Sequence, residues 1–306
     1  VHGWFCTNVD ARWGELREEV RNILAEDNKI QQVIKLVGED VLPDDQRLIA
    51  FTAFLIKNGA ATLSWEFLSE PPKDGMLAGG ILTPLVGTMQ LVLVSMGVAL
   101  PVGIMTGLYF AEYAKGTWIV SLMRISIRSL AGVPSVIFGL FGLSLFVVFM
   151  QFGSCLLSAG LTLACLSLPL VVTVAEQAFL AVPQDYRDAS YALGATKYQT
   201  IMKVVLPSAA STIITGAILA VGRVAGETAP IMFTGAAYFA PDIAKSLFSQ
   251  VMALPYHIYV LATSATDPEA AAPIEYGAIL VLIGLVMGTS AIGVVARARL
   301  SERNGR

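Results

Sequence analysis

Uncharged, apolar stretches far longer than a soluble helix needs alternate along this chain with short clusters of charge. A bilayer core of about 30 Å takes roughly 20 residues of helix. Between Asp74 and Glu112 no residue is charged, and the pattern predicts one span from about Pro84 to Phe110. The 47 uncharged residues between Arg128 and Glu176 are too many for one span and enough for two, with Gln151 to Ser154 as the turn. A fourth span lies between Lys203 and Asp242, interrupted by Arg223 and Glu227, and a fifth between Glu275 and Arg297. Apolar residues run round all sides of these helices, as expected where helices face lipid and one another. The expected fold is therefore all-α and polytopic, with five clear transmembrane helices. Before them, Leu48 to Ile56 is mainly apolar but too short to cross unaided. A first helix is either missing, truncated or only partly inserted.

Composition narrows the class. Of 306 residues, 55% are hydrophobic and 14% charged, with a mean hydropathy of +0.68, which excludes an ordinary soluble domain. The net charge of -3 offers no basic excess for nucleic acid. Residues 1–47 hold ten acids and six bases and are soluble in character. Residues 48–59 form the short apolar segment, a possible remnant of a first span, and 60–306 the membrane domain. Cys6, Cys155 and Cys165 form no C-x-x-C pair, and the last two lie in an apolar run, so disulfide or zinc chemistry is not expected. Val1 to Asp10 lacks the basic start and apolar core of a secretory leader.

Lys and Arg in short loops set the direction of insertion. Arg297, Arg299, Arg303 and Arg306 follow the last span, which predicts a cytoplasmic C-terminus in a multi-pass protein of the cell membrane. Counting back, the loop with Lys115, Arg124 and Arg128 and the loop with Arg187, Lys197 and Lys203 also fall inside. The base-poor loop from about Ala236 to Pro273 falls outside, as do residues 60–80 with Trp65 and Pro71-Pro72.

Two constellations carry chemistry. Arg223 and Glu227 are the only charges in 38 residues, and their spacing puts them on one helix face. An arginine at a helix centre costs about 2.5 to 3.5 kcal/mol on insertion scales, so it is expected to face a pathway or a partner. Its guanidinium fork matches an oxyanion. A helix starting at Pro207 would carry Arg223 about 24 Å from the inner end, past the midplane, unless the helix begins in the cytoplasm. The bland reading is a structural ion pair locking two helices. Arg128, at the inner edge of the second span, is a weaker pathway candidate and also reads as a positive-inside anchor.

The second constellation is the inner loop Val182-Pro183-Gln184-Asp185-Tyr186-Arg187-Asp188-Ala189-Ser190-Tyr191-Ala192-Leu193-Gly194, followed nine residues later by Val204-Val205-Leu206-Pro207. Ala189, Ser190 and Ala192 let another surface approach closely. Gly194 can take the left-handed conformation that ends a helix, and Pro207 can open the next one. Asp188 would favour the positive end of a short helix. The pattern resembles the EAA loop of ABC importer permeases, a short helix that sits in a groove on the ATPase subunit. That resemblance implies an ATPase-coupling role for Asp188, Ala189, Ser190, Gly194, Leu206 and Pro207; an ordinary amphipathic connector is the other reading.

The stretch Ala220-Val221-Gly222-Arg223-Val224-Ala225-Gly226-Glu227-Thr228-Ala229-Pro230 resembles the R-x-x-G-E-T-A-P signature of the PstA family of phosphate importer permeases. Ser129 to Ser135, Phe138 to Gly142, Leu254 to Tyr259 and Leu63 to Leu68 are similar to further segments of that family, so the resemblance runs from about Ala60 to Arg299. It implies a type I ABC importer permease that works with a second homologous permease, a dimer of ABC ATPase subunits and an extracytoplasmic phosphate-binding protein. Arg223 would contact the anion, with Glu227 as its partner. His257, between two tyrosines, is assigned no chemistry.

No G-x-x-x-x-G-K-[ST] occurs in the chain, and neither paired catalytic carboxylates, a Ser/His/Asp set nor a metal cluster is visible. The reading is a transport subunit and not an enzyme, binding no cofactor of its own, with ATP used by a partner subunit and lipid as its surroundings. Residues 1–56 depart from the permease pattern. Trp13 to Leu24 is helical in pattern, and Ile30 to Pro43 resembles the C-terminal helical part of the catalytic subunit of archaeal-type rotary ATPases. This stretch is a fusion, a join in the gene model or assembly, or a chance similarity of amphipathic helices; the absent first span and initiating Met favour a join. The alternatives to phosphate are another oxyanion, sulfate or molybdate, and a membrane-associated subunit of a rotary ATPase.

Overall fold

In the computed structural model, the described residues are 44–114 and 116–304, with side chains described for 51–114 and 116–295. Residues 1–43, with both N-terminal helical readings, and Lys115 lie outside the described residues, as do the side chains of Arg297, Arg299 and Arg303, and Arg306 altogether. The chain divides into two units, residues 1–54 and 55–306. Helix α1, Asp44–Gly59, has 16 residues, about 24 Å at 1.5 Å per residue and short of a bilayer core. Short helix α2, Trp65–Ser69, is capped by Ser64, whose hydroxyl accepts from the Phe67 N–H. The two-residue strands β1 (Pro72–Lys73) and β2 (Ala78–Gly79) pair antiparallel before the first long span.

The long helices are α3 (Leu82–Tyr113), α6 (Leu156–Leu180), α8 (Lys197–Gly226) and α11 (Pro268–Asn304), the last apolar over Pro268–Val295. Between α3 and α6 run α4 (Trp118–Leu130) and α5 (Ser135–Phe149), bent by 104°. The expected span directly after Arg128 is therefore corrected: the chain bends sharply first, and the second apolar helix starts only at Ser135. Pro134 has no N–H to give a helix, and it pushes Val133 out of helical conformation. Gln151 (φ 56°) and Gly153 (φ 75°) make the expected turn into α6.

Small residues set the packing, since without a hydrophobic drive between helices in lipid, close backbone approach supplies the attraction. A Cβ at Gly103 would stand 2.6 Å from Val171 and one at Gly107 2.7 Å from the Ala175 methyl, so α3 and α6 lie side by side and parallel. Gly216 of α8 meets Val174 in the same way, and α8 runs opposite to α6: Val205 and Ala209 cluster with Phe179 and Val182, Ala220 and Val224 with Leu163 and Leu166. Leu91, Leu163, Leu166, Ala220 and Val224 form the core between them.

The two ends differ. At one, Arg124, Arg187 and Lys197 gather around the end of α3; this is the basic end. At the other, the segment between α9 (Ala229–Thr234) and α10 (Leu254–Ser264) folds over the helix starts. The N–H groups of Leu156 and Leu157 donate to the carbonyls of Ser249 and Leu247, each at 2.8 Å, satisfying the orphan donors that open α6. Thr83 and Gln90 hold the same segment through the carbonyls of Pro241 and Ala244.

Candidate functional site

Helix α8 begins at Lys197, ten residues before Pro207. Thr196 caps it in a reciprocal box with Gln199, a T-x-x-Q start signal that the sequence reading passed over. Ile201–Val205 is a π-turn, and Pro207 sits at the first turn of the regular helix that follows, Leu206–Gly226. Pro207 therefore does not open the element; the wider turn before it takes up the proline within one continuous run. This resolves the depth of Arg223. It lies seven residues beyond Gly216, about 10 Å, and Gly216 packs on Val174. That brings Arg223 level with the middle of the 25-residue α6.

There the helix stops. Glu227 has φ −75° and ψ 130° and lies outside α8, and α9 resumes at Ala229 with Pro230 in its first turn. The expectation that Arg223 and Glu227 share a helix face is corrected: Glu227 reaches Arg223 from extended backbone. Its Oε1 accepts from the Arg223 Nε at 3.4 Å, a long contact. The side chains are 35% and 16% exposed. Among the described residues no other group hydrogen-bonds or pairs with the Arg223 side chain, so both terminal nitrogens of its fork stay available. Non-helical backbone at membrane depth persists where it is buried in protein or lines a watery cavity. Broken helices of this kind carry the substrate sites of transporters.

Arg128 does not join this pair. It lies in the last turn of α4, exposed, and among the described residues it forms no hydrogen bond or ion pair with Arg223 or Glu227.

The inner loop forms helix α7, Gln184–Ala192, starting after Pro183. Asp185, and not Asp188, is the acid in its first turn; Asp188 is mid-helix and accepts from Gln184 at 3.0 Å. Gly194 has φ 79°. Its N–H donates to the Tyr191 carbonyl, and that of Ala195 to the Ser190 carbonyl, the paired bonds of a Schellman stop. Asp188, Ala189, Ala192 and Gly194 are exposed, and Ser190 is half-buried. Tyr186, Tyr191, Tyr198 and Leu193, the last 90% exposed, add an apolar surface around α7. Ser190 bonds Thr200 of α8 at 2.9 Å. Leu206 packs with Phe179 and Val205.

Two ion pairs at the basic end escaped the sequence reading, which took Glu112 and Glu176 as span boundaries and Arg124 and Arg187 as bases of inner loops. Arg187 meets Glu112 at 2.9 Å and Arg124 meets Glu176 at 2.7 Å. Both acids are well buried, and Glu176 lies inside an apolar helix, which was the available signal that a base had to face it. His257 is buried on α10 with neither ring nitrogen hydrogen-bonded. Burial lowers its pKa to about 4. Among the described residues no group of three or more His, Cys, Asp or Glu could hold a metal.

Residues 2–59 match the family described as the C-terminal domain of V and A type ATP synthase. Residues 99–299 match the one described as the binding-protein-dependent transport system inner membrane component. A probable ABC transporter permease protein, YqgI of Bacillus subtilis, is 33% identical over 80% of this chain and 87% of its own. The phosphate transport system permease protein PstA of Mycobacterium leprae is 36% identical over 74% and 73%. The PstA 1 protein of Mycobacterium tuberculosis is 37% identical over 68% and 67%. In fold, the chain is similar to an inward-facing structure of the MetNI methionine ABC transporter, with a TM-score of 0.56 at 19% identity, over 72% of this chain and 95% of that one. The chain belongs to the inner membrane components of binding-protein-dependent transport systems, and it is an ABC permease of the PstA kind, a multi-pass membrane protein.

Proposed function

We propose that this chain is the permease subunit of an ATP-driven importer of inorganic phosphate. The observation that carries the proposal is Arg223 level with the middle of α6, loosely held by Glu227 beside a break between α8 and α9, with the rest of its fork free. A guanidinium there can take two oxygens of an oxyanion, and the long Glu227 contact can give way to it. The identity of the anion is supported by relatives that are phosphate transport system permeases.

In this reading α7 receives a pair of ABC ATPase subunits on the cytoplasmic side, where the C-terminus also lies. The ATPases bind and hydrolyse ATP, and this chain binds no cofactor. A second homologous permease completes the pathway, an extracytoplasmic binding protein delivers phosphate, and lipid surrounds the spans. The test is uptake by the assembled complex. Arg223→Ala should abolish it while subunits stay together, and Arg223→Lys should restore little, because a point charge lacks the fork. Normal uptake by Arg223→Ala would sink the proposal.

A further inference from the structure

Beside the Ser190–Thr200 bond to α8, the face of α7 opposite its exposed surface is held by Arg187. Arg187 donates from Nε at 3.2 Å and from Nη2 at 2.9 Å to a single oxygen of Glu112, at the end of α3. Its Nη2 also reaches the Phe179 carbonyl at 2.8 Å, and its Nη1 the carbonyls of Val182 and Pro183. One guanidinium thus binds α7 to the end of α6 and to an acid 75 residues away in the chain. Glu112 is held from a second direction. Lys197, the first residue of α8, donates to its backbone carbonyl and lies 4.3 Å from the Tyr113 ring centroid. Arg187 of α7 and the first residue of α8 therefore converge on the π-turn Tyr109–Tyr113.

Side chains of the pair are only 11% and 8% exposed. A buried pair of this kind is not needed for stability as such, since apolar residues of equal volume often serve as well. What it supplies is geometry: a planar fork satisfied on several edges fixes α7 and α3 in distance and angle. We infer that the Arg187–Glu112 pair, with Lys197 on the Glu112 carbonyl, is the rigid link by which a displacement of α7 reaches α3. Glu112 is then a positioning residue for coupling. The inference rests on the reading that ATPase subunits dock on α7.

The experiment separates the two. In the assembled complex in lipid vesicles, Leu193→Asp, at an exposed position outside the link, should release the ATPases. Retention of the ATPases by that variant overturns the docking reading. Glu112→Gln keeps the shape and one acceptor oxygen. It should retain the ATPases and their hydrolysis but lower uptake per ATP by roughly tenfold, within the range by which residues along a coupling path act. Glu112→Asp should recover part of it. Unchanged uptake per ATP in Glu112→Gln overturns the link while leaving docking intact. A second measurement needs no weakened link. Spin labels at Asp185 and Met105, both exposed, are placed with Cys6, Cys155 and Cys165 replaced by alanine. They should keep their separation between nucleotide-free and ATP-trapped states. A change beyond one helical turn, about 5 Å, would overturn the inference.

Discussion

Gly194 offers a perturbation whose cost is purely one of backbone conformation. Its φ is 79°, and a Cβ built there would meet nothing within 4 Å, so substitution adds no clash with neighbours. An L-residue in the left-handed region costs roughly 1 to 2 kcal/mol, while asparagine tolerates it better. Since 1.4 kcal/mol is a factor of ten, Gly194→Ala should shift the balance between stopped and frayed α7 by about fivefold or more. Gly194→Val, stiff at its β-carbon, belongs at or beyond the upper end, about thirtyfold. The assay is phosphate taken up per ATP hydrolysed by the assembled complex, because on the proposed docking of ATPases at α7 a frayed helix should let them turn over without moving the spans. The expected order is Gly, Asn, Ala, Val, from most to least coupled. Gly97 of α3 is the control: it is exposed, lies in ordinary helix and has nothing within 4 Å, so Gly97→Ala should leave coupling intact. Equal coupling in the Asn and Val variants would refute the argument that the left-handed stop at Gly194 matters.

Further outcomes follow from single contacts. A Cβ at Gly142 would come 2.0 Å from the Thr162 hydroxyl, so Gly142→Ala should destabilise the domain by about 1 to 3 kcal/mol; adding Thr162→Ala should recover most of that in thermal unfolding of the purified complex. His257 has a pKa of about 4 in the folded protein against an ordinary 6.5. The unfolded chain binds the extra proton between those values, so its contribution is complete above pH 6.5 and is lost as pH falls toward 4, about 3 kcal/mol in all. His257→Leu gives up no hydrogen bond and should flatten the fall in melting temperature across that range; an unchanged slope contradicts the assignment. Glu227→Gln should leave the complex assembled and weaken the hold on Arg223, read as altered uptake with unchanged ATPase binding.

What could be read from the chain, and what could not, follows from the range of each interaction. The long spans were legible because insertion is decided locally, by runs without charge such as Asp74 to Glu112 and Glu275 to Arg297. Gly194 was legible too, since a helix stop is a property of a few neighbouring residues. The bend at Ala131 to Pro134 was available in Gly132 and Pro134 but was overridden by counting uncharged residues alone. The start of α8 at Lys197 was masked because Pro207 looks like an opening residue, and only the π-turn before it lets the helix run through. The Arg187–Glu112 and Arg124–Glu176 pairs join residues far apart in sequence, and charge type alone does not choose partners. The break after Gly226 was foreshadowed by the two charges and the Gly-Glu-Thr-Ala-Pro run, but the extended backbone of Glu227 was not.

Phosphate import driven by the partners' ATP hydrolysis is directly measurable. Vesicles holding the complete complex should accumulate labelled phosphate only with ATP and the external binding protein, and excess sulfate should not suppress it. Sulfate-sensitive accumulation would reassign the anion, and no ATP-dependent uptake by a fully assembled wild-type complex would contradict the account.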